Sequence, residues 1–343
     1  MNGIRNITGF NSKINFNINI NLDLSIIIAA YNVEKYIEKC IVSCIQDVTD
    51  FSYDIVVVND GSTDRTREIL TELASRYPIV KIVDQQNSGL GAARNTGLQN
   101  AAGEYVWMID GDDYLHENVI PLIINEAKSQ NLDTLILNYA VVDEQYKLLP
   151  NHANVPTNIN GIVTGADYYE SNYSKSYTWL FVFKKELFIK NAIFFMERIN
   201  MQDSEILPKL MARTSRLAYF DKICYYYVQQ TNSFTNSASG EKRYKYFESI
   251  ITVGNSLDAF LKTSDSEQIK SGIKKKLASL DQVIFNHLVF FKFESHWLQK
   301  IITLLSQSGF FPLRYNPSGK MKFVKLALNN FPILTKKVID RIR

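Results

Sequence analysis

Cysteine is scarce in this chain, and its few thiols form no framework. Only Cys40, Cys44 and Cys224 occur among the 343 residues. An odd set without metal-ligand spacing excludes a disulfide-rich scaffold and a cysteine-based metal centre, and it favours a reducing compartment. Because Cys40 and Cys44 lie four residues apart on a predicted helix, we expect them to share one face as buried, unreactive thiols.

Long apolar runs are also missing. No stretch reaches the roughly 18 apolar residues that a bilayer-spanning helix requires. Residues 1–22 are rich in Asn and Ile, but they contain no continuous apolar segment of the kind found in signal peptides. We therefore expect a poorly ordered leader at 1–22 and a cytoplasmic protein.

A strong excess of charge of one sign is absent as well. The 38 Lys and Arg residues nearly balance the 35 Asp and Glu residues, which leaves a net charge of +3. A dedicated nucleic-acid binder normally carries a strongly basic face, so we expect no nucleic-acid partner. His116 and His152 have no partners at metal-ligand spacing, and we interpret both as surface residues.

Apolar runs alternate with amphipathic stretches over the first 140 residues. This alternation is typical of an α/β fold with a mostly parallel sheet and helices on both of its faces. Ligands of such sheets bind outside the carboxyl ends of the strands, so the turns after the first, second and fourth strands should converge. Strands are predicted at 24–30, 54–59, 80–84, 105–109 and 134–139, and helices at 33–46, 65–77, 91–100 and 118–129.

The turn after the fourth predicted strand holds three carboxylates, Asp110, Asp112 and Asp113. Crowded carboxylates repel one another and are costly to desolvate, and a divalent cation relieves both effects. Hard oxygen ligands suit Mg²⁺ or Mn²⁺. An acidic turn by itself is more often a helix cap, but its position after a buried strand favours a metal site.

Polar turns also follow the second and third strands. Asp60 ends the second strand, where a carboxylate can accept a hydrogen bond from a base N–H; a plain Asp-Gly turn is the alternative. Small residues at 87–93 open a helix whose free N–H groups favour an anion, and Arg94 adds a cation suited to diphosphate. The GxGxxG and GxxxxGK[ST] patterns are absent, which argues against a dinucleotide dehydrogenase and a P-loop kinase.

In their order and spacing, the segments 30–32, 58–64, 87–97 and 110–113 resemble the family 2 inverting glycosyltransferases, which have the GT-A fold. The resemblance covers about residues 22–235. It implies that Asp60 contacts a uracil or thymine ring, that Tyr31 lies beside the base and ribose, and that Arg94 borders the nucleotide. The resemblance thus predicts a nucleotide-sugar donor.

The same resemblance assigns the acidic turn and an acceptor side. Asp112 would hold the cation on the diphosphate, Asp110 would lie on the ribose side, and Asp113 would support the turn or face the donor sugar. The family's general base lies in a Glu-Asp pair that opens a helix, and Asp203 occupies that place. The preceding residue is Gln202 instead of Glu, which changes the surroundings that set the pKa of the base.

Two further positions fall on the acceptor side of the resemblance. Trp179 lies where relatives carry an aromatic residue near the acceptor, and a role in the core is the alternative. The pair Gln229-Gln230 lies where relatives often carry Arg or His close to the diphosphate.

Residues 239–343 lie outside the resemblance and are predicted to be mainly helical. We divide the rest into the leader 1–22 and a glycosyltransferase domain at 23–238, with a nucleotide-binding part at 23–140 and an acceptor part at 141–238. From residue 320 onwards, basic and apolar residues alternate, which suits either peripheral contact with an anionic membrane or the solvated face of a packing helix. Pro332 interrupts any long helix there.

The favoured hypothesis is an inverting transfer from a nucleoside-diphosphate sugar, with UDP favoured, to a glycan or lipid-linked glycan in cell-surface polysaccharide biosynthesis. A nucleotidyltransferase is one alternative, but it would normally carry a Gly-rich basic loop near the first strand. A catalytically impaired module that only binds sugar nucleotides or glycans is another, and Gln202 and Gln229-Gln230 are its hints.

Overall fold

Strands and helices alternate along the first half of the chain, and every element described from residue 239 onwards is a helix. The computed structural model describes residues 22–149, 159–230 and 239–342, so His152 and all of the predicted leader except Leu22, which begins β1, lie outside the described residues. The strands are β1 Leu22–Ala30, β2 Tyr53–Asp60, β3 Val80–Gln85, β4 Gly103–Asp110, β5 Tyr114–Leu115, β6 Thr134–Val142, β7 Phe181–Lys184 and β8 Leu217–Val228. The helices are α1 Ile37–Ser43, α2 Thr66–Arg76, α3 Leu90–Asn100, α4 Ile120–Ser129, α5 Gly165–Asn172, α6 Glu186–Ile189, α7 Gln202–Met211, α8 Gly240–Thr263, α9 Glu267–Phe290, α10 Ser295–Gln307, α11 Met321–Asn330 and α12 Pro332–Ile342.

The strands form one sheet in the order β3-β2-β1-β4-β7-β6-β8-β5. β1 pairs in parallel with β2 and β4, and β2 pairs in parallel with β3, so this half confirms the predicted parallel sheet. The carboxyl ends of β1, β2 and β4 therefore share one edge. Beyond β4 the sheet is mixed, because β7 runs antiparallel between β4 and β6, whereas β8 is parallel to β6.

Both faces of the parallel half are covered, as the apolar strands require. On β2, Val56 and Val58 pack with Ala93 of α3, whereas Ile55 and Val57 belong to the main hydrophobic core. Alternate side chains of one strand thus meet different layers, because successive side chains point to opposite faces.

α3 lies unusually close to β1, and Gly97 permits this approach. A Cβ atom built on Gly97 would lie 2.2 Å from Cγ2 of Ile27. The close contact fixes α3 against the sheet, and its first turns then lie at the carboxyl edge of the strands.

One element prediction needs correction. The first helix begins at Ile37 instead of residue 33, because the backbone N–H of Val33 donates to Thr66 Oγ1 at 2.9 Å and the chain is committed to a turn there. Residues 217–228, for which the sequence analysis gave no element, form one strand. The register of β6 against β8 shifts on both sides of Asn138, whose side-chain amide donates to the carbonyl of Asp221 at 2.8 Å.

The predicted helical appendage is confirmed by α8–α12, and the break expected at Pro332 separates α11 from α12. A single cluster of buried side chains includes residues of the sheet and residues of α8, α9 and α10. All three cysteines are buried, as was predicted for Cys40 and Cys44. Among the helices in the described ranges, none combines the length and apolarity that crossing a bilayer needs.

Candidate active site

The turns that follow β1 and β2 are bonded to each other at the carboxyl edge. Asn32 Oδ1 accepts a hydrogen bond from the backbone N–H of Thr63 at 2.8 Å, and Asp64 Oδ2 accepts one from the N–H of Glu34 at 3.1 Å. Tyr31 stands at the end of β1 and is about half exposed, at 48%. A partly open aromatic ring at this edge is available to a ligand.

Arg94 joins the acidic turn to a distant part of the chain. Its guanidinium is 2% exposed and donates from Nη2 to Asp110 Oδ1 at 2.8 Å and from Nη1 to Asp203 Oδ1 at 2.5 Å. Charge-assisted bonds of this kind are short and directional. The structure therefore brings together the predicted ribose-side carboxylate, the predicted base and the predicted nucleotide-side cation.

Asp203 lies in the first turn of α7, two residues after Met201, whose backbone is left-handed with φ of 62°. Besides Arg94, its carboxylate accepts hydrogen bonds from Thr178, from the backbone N–H at 3.3 Å and from Oγ1 at 3.1 Å. A carboxylate offers about four lone-pair sites, so one site stays available for a substrate hydroxyl. The side chain is 17% exposed, which leaves it reachable from solvent.

Asp112 is only partly buried, like Asp110 and unlike Asp113. Its Oδ2 accepts a hydrogen bond from Gln230 Nε2 at 2.8 Å. Burial, together with the nearby charge of Asp110, raises the pKa of Asp112 to about 6. Burial also raises the pKa of Asp110, although the positive charge of Arg94 opposes this shift.

Asp113 points into the protein and is 2% exposed. Tyr225 Oη donates to its Oδ2 at 2.5 Å, and the backbone N–H of Val228 donates to its Oδ1 at 2.7 Å. Burial raises the pKa of Asp113 well above its usual range. Both carboxylate oxygens of Asp113 thus hold β8 against the turn, which fits the predicted role of supporting the turn. The alternative role, a contact with the donor sugar, stays a prediction.

The chemistry of this turn fits a divalent cation shared with a ligand. Among the described residues, no three side chains of His, Cys, Asp or Glu are arranged to hold a metal ion by themselves. Asp112 and Asp110 are oxygen donors whose negative charge is disfavoured by burial, and a cation would relieve that cost. Mg²⁺ and Mn²⁺ are typically held by one or two carboxylates together with phosphate oxygens.

Asp60 is 3% exposed and holds the loop before α3. Its Oδ1 accepts from the N–H of Ser88 at 2.8 Å and from Gln85 Nε2 at 2.6 Å, and its Oδ2 accepts from the N–H of Gly89 at 2.8 Å. Gly61 makes this packing feasible, because its φ is +70° and a Cβ atom there would lie 2.8 Å from the backbone nitrogen of Asn87. The predicted contact with a base stays a prediction.

Trp179 lies in an aromatic stack and is 4% exposed. Its ring is parallel to that of Tyr225 with centroids 4.5 Å apart, and it also stacks on Tyr177 at 5.2 Å. Tyr177 is 43% exposed, and Tyr227, which stacks on Trp179 at 5.9 Å, is 37% exposed, so the open rings of this stack are Tyr177 and Tyr227 instead of Trp179. Sequence reasoning missed Tyr177, although its place two residues before Trp179 was a usable signal.

Lys276 was also missed, because α9 lies outside the segments that carry the resemblance. It is 5% exposed, and its Nζ donates to Ser176 Oγ at 2.8 Å. Burial lowers the pKa of Lys276 to about 8, and the nearby negative charge of Asp203 opposes this shift. A side chain of the C-terminal helices thus lies close to the acceptor side of the site.

The family of this chain follows from comparison with known proteins. The model of glycosyl transferase family 2 matches residues 25–198, about half of the chain. The chain belongs to the family 2 glycosyltransferases.

Individual relatives and solved structures agree with this membership. The chain is 31% identical over 214 residues to the uncharacterized glycosyltransferase EpsJ of Bacillus subtilis, across 60% of either protein. It is 28% identical over 236 residues to the hyaluronan synthase of Pasteurella multocida, across 67% of this chain and 22% of that one. The crystal structure of S. aureus TarS 1–349 in complex with UDP-GlcNAc is 20% identical, with a TM-score of 0.65 over 93% of this chain and 91% of that chain. The TarS likeness confirms the GT-A fold.

Proposed function

We propose that this chain transfers a sugar from a nucleoside-diphosphate donor to a glycan or lipid-linked glycan in the cytoplasm. The favoured donor is a UDP-sugar. The proposed setting is cell-surface polysaccharide synthesis, and the proposed outcome is inversion at the anomeric carbon. The observation that carries the proposal is the bridge that Arg94 makes between Asp110 and Asp203. Because one guanidinium binds both of them, the donor-side carboxylate of Asp110 and the acceptor-side carboxylate of Asp203 are held close together.

The comparisons supply the support for donor and setting. TarS is described in complex with UDP-GlcNAc, and the chain has the same fold. Relatives include proteins named hyaluronan synthase and chondroitin synthase, and both names refer to the synthesis of a polysaccharide. A family 2 chain with this fold is therefore expected to use a nucleotide sugar and to extend a glycan. The same family membership argues against a nucleotidyltransferase.

The proposed reaction assigns a task to each carboxylate. Asp203 accepts the proton of the acceptor hydroxyl while the hydroxyl oxygen attacks the anomeric carbon from the face opposite to the leaving diphosphate. Arg94 and Thr178 orient Asp203 so that its remaining lone pair faces the acceptor. Asp112, assisted by Asp110, would hold Mn²⁺ or Mg²⁺, which supplies positive charge to the leaving diphosphate when bound.

A panel of UDP-, GDP- and dTDP-sugars with Mn²⁺ tests the proposal through release of the nucleoside diphosphate. We expect Asp112→Ala to abolish turnover and to weaken metal-dependent nucleotide binding. Asp203→Asn should keep nucleotide binding and lose transfer by about a hundredfold or more, the usual contribution of a general base. Asp265→Asn changes an exposed carboxylate and is the matched control.

Two results would count against the proposal at different levels. Full transfer by Asp203→Asn would remove that residue as the base. Absence of binding by any nucleotide sugar, with or without metal, would remove the proposed donor.

A second candidate is a module that binds a sugar nucleotide without transferring the sugar. The observation that favours it is that Arg94 already neutralises Asp203, next to a Gln at position 202 where relatives usually carry Glu. The same panel separates the two candidates. Tight binding of a UDP-sugar, with no diphosphate released in the presence of glycan acceptors, would favour the binding module.

A further inference from the structure

The last two helices, α11 and α12, expose large apolar side chains to solvent. Phe323, Leu326, Phe331 and Leu334 are 76%, 62%, 65% and 63% exposed. Within the described residues, every large apolar side chain that is more than 60% exposed lies in this segment. Single exposed apolar residues are ordinary, but a cluster of this kind marks an interaction surface.

Both helices are fixed to the protein, so the exposed side chains are not those of a loose end. Leu328 of α11 is buried, and Asn329 exchanges two hydrogen bonds with the backbone of Leu313, at 2.8 Å and 3.3 Å. Lys336 of α12 is also buried, and it forms an ion pair with Asp340 and lies over the ring of Phe293. The inner faces are therefore packed, and the apolar residues lie on the outer faces.

Positive charges share these outer faces. On α12, Lys337 and Val338 lie three and four residues after Leu334, and Arg341 lies four and three residues after them, so the four residues form one stripe. All four side chains are exposed. On α11, the exposed Lys322 lies next to Phe323. Asp340 is the one acidic residue from 320 onwards, and it is engaged by Lys336.

We propose that α11 and α12 form a docking surface for an anionic lipid bilayer and lie in the plane of its headgroups. An apolar partner surface would pair with the aromatic and aliphatic side chains but would leave the lysines without counter-charge. An anionic bilayer satisfies both, since apolar side chains enter the acyl boundary while Lys and Arg side chains extend to the phosphates. The surface does not depend on the proposed transfer reaction.

Flotation of the full chain with lipid vesicles, in the absence of any sugar nucleotide, tests the proposal. One set of vesicles contains phosphatidylcholine alone, and in the other about a third of the lipid is phosphatidylglycerol. We expect the chain to float with the anionic vesicles, to stay unbound with the neutral ones, and to be released by high salt because surface charges are screened.

Two paired variants separate the apolar and the electrostatic parts of the surface. Phe323→Ser with Leu326→Ser, and Lys337→Gln with Arg341→Gln, should each weaken binding to anionic vesicles by about tenfold or more. The controls are Leu148→Ser, which changes a side chain 56% exposed elsewhere, and Lys274→Gln, which removes an exposed charge from α9. All six substituted side chains lie on the surface, so circular dichroism spectra should match the parent.

Three outcomes would overturn the proposal. The first is equal flotation with neutral and anionic vesicles, and the second is binding that neither paired variant weakens. The third is a dimer in solution that Phe323→Ser with Leu326→Ser converts to a monomer while vesicle binding is absent. That result would assign the surface to a second copy of the chain.

Discussion

Arg94 is a buried cation between two carboxylates that lie 16 and 109 residues away in the chain. Surface ion pairs contribute little to stability, since water screens them and their side chains lose freedom. A buried cation is different, because removing it leaves the carboxylates beside it without compensation. At the scale of single residues, Arg94 therefore has two roles: it stabilises the fold, and it positions the two carboxylates of the proposed reaction.

We expect Arg94→Met to lower the free energy of unfolding by about 2–4 kcal/mol at neutral pH. The loss should shrink as the pH falls towards about 4, because protonation of the carboxylates removes their uncompensated charge. Urea unfolding followed by circular dichroism measures both effects. Arg65→Met is the control, since Arg65 pairs with Glu68 on the surface, where water screens the pair, and its loss should leave the stability nearly unchanged. Equal losses in the two variants would show that the Arg94 bridge does not stabilise the fold.

At the scale of elements, the strand ends were predictable because the signals are local. The apolar runs of β1, β2 and β4 and the polar residues directly after them predicted which turns converge. The start of α1 was not predictable from its own residues, since the bond from Val33 to Thr66 joins positions 33 residues apart. The insertion of β7 between β4 and β6 is likewise a property of the whole sheet.

The same distinction applies to the acidic turn. The sequence predicted three carboxylates at one strand end, and the resemblance assigned their roles, but the hydrogen bonds of each carboxylate could not be predicted. Asp113 is bonded to Tyr225 and Val228, which lie more than 110 residues further along the chain. Asp112 accepts a hydrogen bond from Gln230, a position at which the resemblance predicted Arg or His.

The packing of α3 on β1 gives a prediction at this scale. In Gly97→Ala, the new methyl group would overlap Cγ2 of Ile27, and we expect a loss of about 1–2 kcal/mol of stability after allowing for the better helix propensity of alanine. Urea unfolding measures the loss. Gln99→Ala, at an exposed position of the same helix, is the control and should be nearly neutral.

A double-mutant cycle identifies the cause of that loss. Ile27→Ala removes Cγ2, so adding Gly97→Ala to it should cost clearly less than adding Gly97→Ala to the parent. Additive losses would mean that the destabilisation arises elsewhere in α3.

At the scale of the whole molecule, the C-terminal helices are part of the proposed active site's surroundings. α9 packs against α5 closely enough that a Cβ atom on Gly272 would lie 2.6 Å from the ring of Tyr169. Ser249 of α8 accepts a hydrogen bond from the backbone N–H of Asn200 at 3.0 Å, three residues before Asp203. The predicted division of the chain at residue 238 therefore does not correspond to a gap in packing.

Lys276 allows this coupling to be measured. Because burial lowers its pKa from 10.5 to about 8, the folded protein holds the Lys276 proton less tightly than the unfolded chain does. The free-energy cost of burying the charged Lys276 side chain is therefore fully present below about pH 8, and it is relieved as the pH rises from about 8 to 10.5. In Lys276→Met this cost is absent, although the bond to Ser176 is lost. We therefore expect the variant to be as stable as the parent or more stable by about 1–2 kcal/mol at pH 7, and to lose that advantage near pH 10.

Urea unfolding at pH 7, 9 and 10 follows the difference in stability between the two proteins, so that other titrating groups cancel. Lys274→Met, two residues away on the exposed side of α9, should show no pH-dependent difference. If Lys276→Met is instead less stable by the same amount at every pH, then folding does not lower the pKa of Lys276. In that case the C-terminal helices stabilise the acceptor side of the site through the bond from Lys276 to Ser176.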